Sequence, residues 1–267
     1  MAVCVTLGGL GNSGVSRLPL LRTLSLCLCC LACSAALADQ VRVAVAANFA
    51  PTLERLADDF TAQTGHRLLI SSASTGKHYA QIRNGAAFDV FLAADIARPK
   101  RLEVEGHAVA GSRFDYARGR LVLWAPAAGA LHDARAALTG EQVRRLAIAN
   151  PRLAPYGVAA RQVLEAWGLW SDVQSRLVRG ENIGQAFQFV ATGNAQAGLV
   201  ALSQLLGLDA SARGAYREIA ADLHAPIRQQ AVLLRPGRAA ESFLAYLRGP
   251  RARAIIGEAG YAPPETS

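Results

Sequence analysis

The sequence predicts an α/β protein of two lobes joined by two crossings. Three observations predict it. Short apolar runs alternate with helix-period segments from residue 41 onward, the pattern of strands in a parallel sheet covered on both faces. A second set of the same kind begins near Arg120. A strand-like run, Ile227 to Leu234, then returns late in the chain.

The elements follow in order. Val41–Ala47 (VRVAVAA) reads as a strand. Thr52–Thr64 places Leu53, Leu56, Ala57 and Phe60 on one helical face and stops at Gly65. Arg67–Ser71 is a strand, Lys77–Asn84 a helix ending at Gly85, Phe88–Ala93 a strand, and Pro99–Glu105 a helix closed by Gly106. In the second set, Arg120–Ala125 and Arg145–Ala149 read as strands, Val158–Trp167 and Ile183–Ala191 as helices, and Ala197–Ala201 as a buried strand. Ala240–Leu247 and Arg251–Ala259 are closing helices. Tyr116–Leu123 and Ile227–Leu234 are the expected hinge strands. Lobe 1 is then 39–120 plus 230–267, and lobe 2 is 121–229.

Residues 1–38 read differently. Arg17 and Arg22 precede an apolar stretch from Leu24 to Leu37 that ends Ala36-Leu37-Ala38, the pattern of a cleaved signal peptide. A membrane span needs about 20 apolar residues, and Asp39 interrupts before that. Lipid attachment at Cys33 is the weaker alternative. All five cysteines (Cys4, Cys27, Cys29, Cys30, Cys33) lie in this leader, so thiolate metal sites and cysteine catalysis are excluded for the processed chain. Without Arg17 and Arg22 the 28 basic residues fall to 26 against 20 acidic ones, a net charge of +6. No basic block with interleaved aromatics occurs, so nucleic acid is not an expected partner.

Three turns lead from strand-like to helix-like runs, Ala47-Asn48-Phe49, Ser74-Thr75-Gly76 and Pro155-Tyr156-Gly157, and Ile183 opens a fourth candidate helix end after Gly180-Glu181-Asn182. Such turns aim unpaired N–H groups at a common space and favour an anion there. Asn48 is expected as an N-cap whose amide also donates to a ligand. Thr75 offers an O–H, and Gly76 permits close approach of backbone. Tyr156 offers its N–H and its phenol; Ile183 offers its N–H alone. Lys77 and Arg152 would add a positive field at the rim, and Glu181 is the nearest acid. The histidines (His66, His78, His107, His132, His224) show no helical metal spacing. His78 reads as a solvated helix-face residue, and Asp89 and Asp95 as a strand entry and a cap. There is no Gly-x-Ser-x-Gly elbow and no Walker loop.

The segments VAVAANFAPTLERLADDFTAQTGH, SSASTGKHYAQIRNGAAFDVFLAAD, AIANPRLAPYGVAARQVLE, ENIGQAF and PIRQQAVLL carry a resemblance that runs from Val41 to Tyr261. The chain resembles the periplasmic molybdate-binding proteins of ATP-driven importers, in the branch with Asn-Phe after the first strand and Ala-Pro-Tyr-Gly in the second lobe. The resemblance implies a type II periplasmic-binding-protein (Venus-flytrap) fold. It also implies molybdate or tungstate held between the lobes by Ala47, Asn48, Thr75, Tyr156 and Ile183. No cofactor or direct metal ligand is implied. The implied setting is a monomer in the periplasm that delivers its anion to an ABC permease and its ATPase, without catalysis. Ala47 lacks the hydroxyl some relatives carry. Ala201 stands where another branch places a ligand-binding tyrosine, a loss the Tyr156 phenol is expected to offset. A receptor for sulfate or thiosulfate, and an exported hydrolase using a Ser71–Thr75 hydroxyl, are the competing readings.

Overall fold

The structure, a computed structural model, describes residues 39–127 and 132–264; the leader and Cys33 lie outside them. Two five-stranded sheets form the body. The first contains β1 (Gln40–Ala46), β2 (Arg67–Ala73), β3 (Val90–Ala93), β4 (Phe114–Gly119) and β10 (Ile227–Leu233), in the order β2-β1-β3-β10-β4. The second contains β5 (Leu121–Ala125), β6 (Leu146–Ala149), β7 (Leu177–Gly180), β8 (Ala197–Ala201) and β9 (Ala215–Glu218), in the order β7-β6-β8-β5-β9.

Both sheets are mixed, not parallel as expected. The β1–β2, β1–β3, β6–β7 and β6–β8 pairs are parallel. β10 runs antiparallel to β3 and β4, and β5 antiparallel to β8 and β9. The cause is the double crossing, because a strand arriving from the other lobe enters the sheet in the opposite direction. The first sheet is covered on both faces, as its alternation requires. Val43, Val45, Leu92 and Leu233 pack on one side with Phe49, Phe60 and Phe243. Ala44, Phe91 and Val232 pack on the other with Tyr79 and Leu102. Truncating a fully buried ring such as Phe91 would cost about 3–5 kcal/mol. In the second lobe Trp124 stacks on Phe187 with ring centroids 4.8 Å apart.

The helices that matter for the site are α1 (Ala50–Thr64), α2 (Thr75–Arg83), α3 (Ala97–Val104), α5 (Pro155–Ala166), α7 (Ile183–Ala191) and α8 (Leu202–Leu206), with α4 (Ala134–Thr139) and α6 (Trp170–Val173) on the second lobe and α9 (Arg238–Arg248) and α10 (Pro250–Glu258) closing the first. The parallel strands β1, β2, β6 and β7 lead through short turns into α1, α2, α5 and α7 respectively. Their carboxyl ends therefore face the gap between the sheets, the usual crevice of open α/β folds.

The first crossing is a single residue. Gly119 ends β4 in the first sheet and Leu121 begins β5 in the second. The second crossing runs from Glu218 to Ile227, and an Arg120–Glu218 ion pair clips the two together. Residues 227–229, read from sequence as part of lobe 2, pair with β4 in the first sheet, where Ile227 faces Gly119 and Gln229 faces Ala117.

Candidate functional site

Ala47, Asn48, Thr75, Tyr156 and Ile183 all line one small interlobe cavity, which encloses about 190 Å³ of space not filled by protein atoms. Two halves build it. Residues 46–48, Ser74 and Thr75 come from the first lobe; Ala154 to Tyr156, Asn182 and Ile183 come from the second.

The donors arise from helix starts. Thr75 and Ile183 are the first residues of α2 and α7, and Tyr156 follows Pro155 in the first turn of α5. N–H groups at these positions have no intrahelical acceptor. The N–H groups of Asn48, Thr75, Tyr156 and Ile183 donate to no other acceptor among the described residues. Caps hold the neighbouring donors away from the cavity. Ser74 Oγ accepts from Lys77 N–H at 3.3 Å, and Asn182 Oδ1 accepts from Gln185 N–H at 3.0 Å. Thr75 Oγ1 accepts from Ala94 N–H at 3.1 Å, which leaves its own proton free to donate. No carboxylate, amine or guanidinium lines the cavity. Tyr156 is the one residue in its wall with a titratable side chain, and burial pushes that phenol well above its ordinary value, so it stays neutral.

Several expectations need correction. Asn48 is not the cap of α1; Phe49 occupies that position without a side-chain bond. The Asn48 amide does not face the cavity either. It donates to Gln229 Oε1 at 2.9 Å and to the Tyr261 hydroxyl at 3.1 Å, so both amide protons are engaged inside the protein. Ala47 forms wall only, because its N–H donates to Ala73 O at 2.9 Å. The Tyr156 phenol points away from the cavity, to the hinge, and lies against Gly119. It does not replace a phenol at the Ala201 position. Gly76 serves lobe contact, since its N–H donates to Leu153 O of the other lobe at 2.9 Å. A β-carbon at position 76 would sit 2.9 Å from that same oxygen.

His78 is buried, not solvated. Its Nδ1 lies 3.0 Å from Gln81 Oε1, its ring meets Phe88 edge-on, and burial lowers its pKa. Asp89 and Asp95 act as expected: Asp89 receives Arg42 at the entry to β3, and Asp95 caps α3 through Arg98 N–H at 2.9 Å. At the rim Lys77 Nζ stands 4.0 Å from Glu181 Oε2, so the expected cation and the nearest acid offset each other across the mouth. Among the described residues no cluster of three His, Cys, Asp or Glu side chains could hold a metal.

Sequence reasoning missed the residues behind the site. Gln229, Tyr116, Tyr261 and Ser203 form a buried polar group around Asn48. Tyr261 O–H donates to Asn48 O at 2.8 Å, Ser203 O–H donates to the same oxygen at 3.3 Å, and Tyr116 O–H donates to Gln229 Oε1 at 3.0 Å. No local signal marks them, because their partners lie more than a hundred positions away. A larger recess of about 590 Å³ lies between α3 and α5, with Ile96, Val158 and Pro226 in its wall. It is mainly apolar, and its cations Arg98 and Arg228 are paired with Asp95 and Asp115, so it suits an anion poorly.

Comparison with known proteins agrees with this architecture. The family described as "Bacterial extracellular solute-binding protein" matches residues 41–262. A protein of Azotobacter vinelandii named molybdate-binding protein ModA is 49% identical over 86% of this chain and 92% of its own. Its namesake from Rhodobacter capsulatus is 43% identical over 85% of this chain and 89% of its own. The solved structure of the Azotobacter vinelandii periplasmic molybdate-binding protein superposes with a TM-score of 0.80 at 43% identity, covering 84% of this chain and all of that one. With its two lobes, its double crossing and a cavity between the strand ends, the chain belongs to the bacterial extracellular solute-binding protein family.

Proposed function

We propose that this chain is the extracytoplasmic receptor of a molybdate importer. It captures molybdate, and tungstate with it, between the lobes and hands the anion to an ABC permease and its ATPase. The observation that carries this reading is the donor set: four main-chain N–H groups with no other acceptor among the described residues, and the Thr75 O–H, belong to residues lining a cavity with no charged wall. The 49% identity to a protein named for molybdate binding gives the anion's identity.

The chemistry suits a fully deprotonated dianion. Such a ligand only accepts hydrogen bonds, so the site needs donors and gains nothing from a carboxylate, whereas a protonated oxyanion requires an acceptor as well. Helix starts at α2, α5 and α7 each present roughly half a positive charge. The dianion is therefore met without a counter-cation. Closure through the Gly76–Leu153 bond removes water and strengthens each contact. The receptor works as a monomer in the periplasm after cleavage at Ala38, and it binds without catalysis.

Calorimetric titration of the chain from Asp39 with molybdate, repeated in excess sulfate and excess phosphate, tests the reading. One-to-one binding that survives both competitors is the expected result. Heat with sulfate and none with molybdate would keep the fold and overturn the ligand.

A further inference from the structure

Two residues that offer N–H groups to the cavity, one from each lobe, send their side chains to the same place. Asn48 of the first lobe donates its amide to Gln229 Oε1 at 2.9 Å. Tyr156 of the second lobe extends its phenol to the hinge, where the hydroxyl and Gln229 Nε2 both press on Gly119. A β-carbon at position 119 would overlap the Tyr156 hydroxyl and stand 2.9 Å from Gln229 Nε2. Gln229 itself is fully buried in β10, just past the end of the returning crossing. Tyr116 fixes it further by donating to Oε1 at 3.0 Å.

We propose that Gln229 is a positioning residue that sets the spacing between the Asn48 and Tyr156 N–H groups and so couples anion capture to the hinge. This rests on the reading of the interlobe cavity as the anion site. The geometry supports it in two ways. A buried amide held by Asn48 and Tyr116 has one orientation, with its oxygen toward the first lobe and its nitrogen toward Tyr156. The contact to Tyr156 depends on lobe angle, because Tyr156 moves with α5 while Asn48 stays with the first sheet. When the lobes close as here, Gln229 sits between both side chains; when they open, Tyr156 withdraws from Gly119 and the link is broken. Gly119 is part of the device, since any side chain there would occupy the place of the phenol.

The test is release of molybdate from the chain beginning at Asp39. That chain has no cysteine, so Val104→Cys and Gln188→Cys, on exposed faces of the two lobes, carry spin labels for an interlobe distance measurement. Gln229→Leu keeps size and removes both polar atoms; Gln229→Asn keeps polarity with a shorter reach and serves if the leucine variant does not fold. The expected result is an off-rate raised about tenfold in Gln229→Leu, the scale of one lost hydrogen bond. A smaller rise is expected in Gln229→Asn, with on-rates nearly unchanged and a broader interlobe distance distribution in the loaded protein. Wild-type release and wild-type distances in the variants that fold would overturn the proposal. If the wild-type chain binds no molybdate, the functional reading falls by itself. The hinge proposal is then decided by the ligand-free distances: a shift in the Gln229 variants supports it, and identity with wild type overturns it.

Discussion

The two lobes contribute to one cavity by different means. The first lobe backs its donors with polar side chains: Asn48 is held by Gln229 and Tyr261, and Thr75 is fixed by Ala94 N–H. The second lobe backs its donors with apolar packing. Tyr156 and Ile183 belong to its hydrophobic core, and both also line the cavity. Side-chain replacement at Thr75 should therefore reach the site directly, whereas at Ile183 only a change of the main chain itself should.

Thr75→Ala is the strongest way to sharpen that contrast. It removes an O–H donor and orphans a buried N–H at Ala94, so molybdate affinity should fall by about 1.5–3 kcal/mol. Thr75→Ser should recover most of it, and titration calorimetry on both variants checks this. Next comes a pair at Ile183. Proline is tolerated at the first position of a helix, and Asn182 already has the extended backbone (φ −144°, ψ 173°) that proline asks of its predecessor. Ile183→Pro deletes one donor and should weaken binding by about 1.5–2 kcal/mol. Ile183→Ala loses the same packing but keeps the N–H, and should bind within about threefold of wild type while melting at a lower temperature. Equal affinity losses in the two variants would break the distinction between the lobes.

Smaller effects lie outside the cavity. Lys77→Ala removes an exposed ion pair worth at most about 1 kcal/mol, and its effect on affinity should vanish in high salt. His78 gives a pH signature of stability. Burial lowers its folded pKa, so its contribution is fully present above the unfolded value of about 6.5 and is lost as pH falls below it. The melting temperature should drop less between pH 7.5 and 5.5 in His78→Gln than in wild type. Parallel pH profiles would remove His78 from the account.

The alternating architecture was legible in sequence because it is local. Ile183–Ala191 and Ala197–Ala201 match the observed bounds, one through the cap at Asn182 and the other through an unbroken apolar run. β9 (AYRE) was missed because three of its four residues are exposed and it carries no apolar alternation. His78 was misplaced because a polar residue on the core face of α2 defeats a hydrophobicity argument. The positions of the site turns were legible, since strand end, cap and helix start lie within a few residues. What their side chains do was not. Asn48 is determined by partners 181 and 213 residues away, and no periodicity carries that information. The antiparallel return of β10 is hidden for the same reason.

The lobe-two donors have an evolutionary corollary. A missense change replaces a side chain, but among the genetically encoded residues only proline deletes a main-chain N–H. At Ile183, nineteen of the twenty residues would preserve the N–H group proposed to face the anion. On that proposal, a side-chain change at this position acts through packing and leaves the donor in place. On the proposed reading, part of the recognition lies in the path of the chain, where a comparison of side chains alone does not see it.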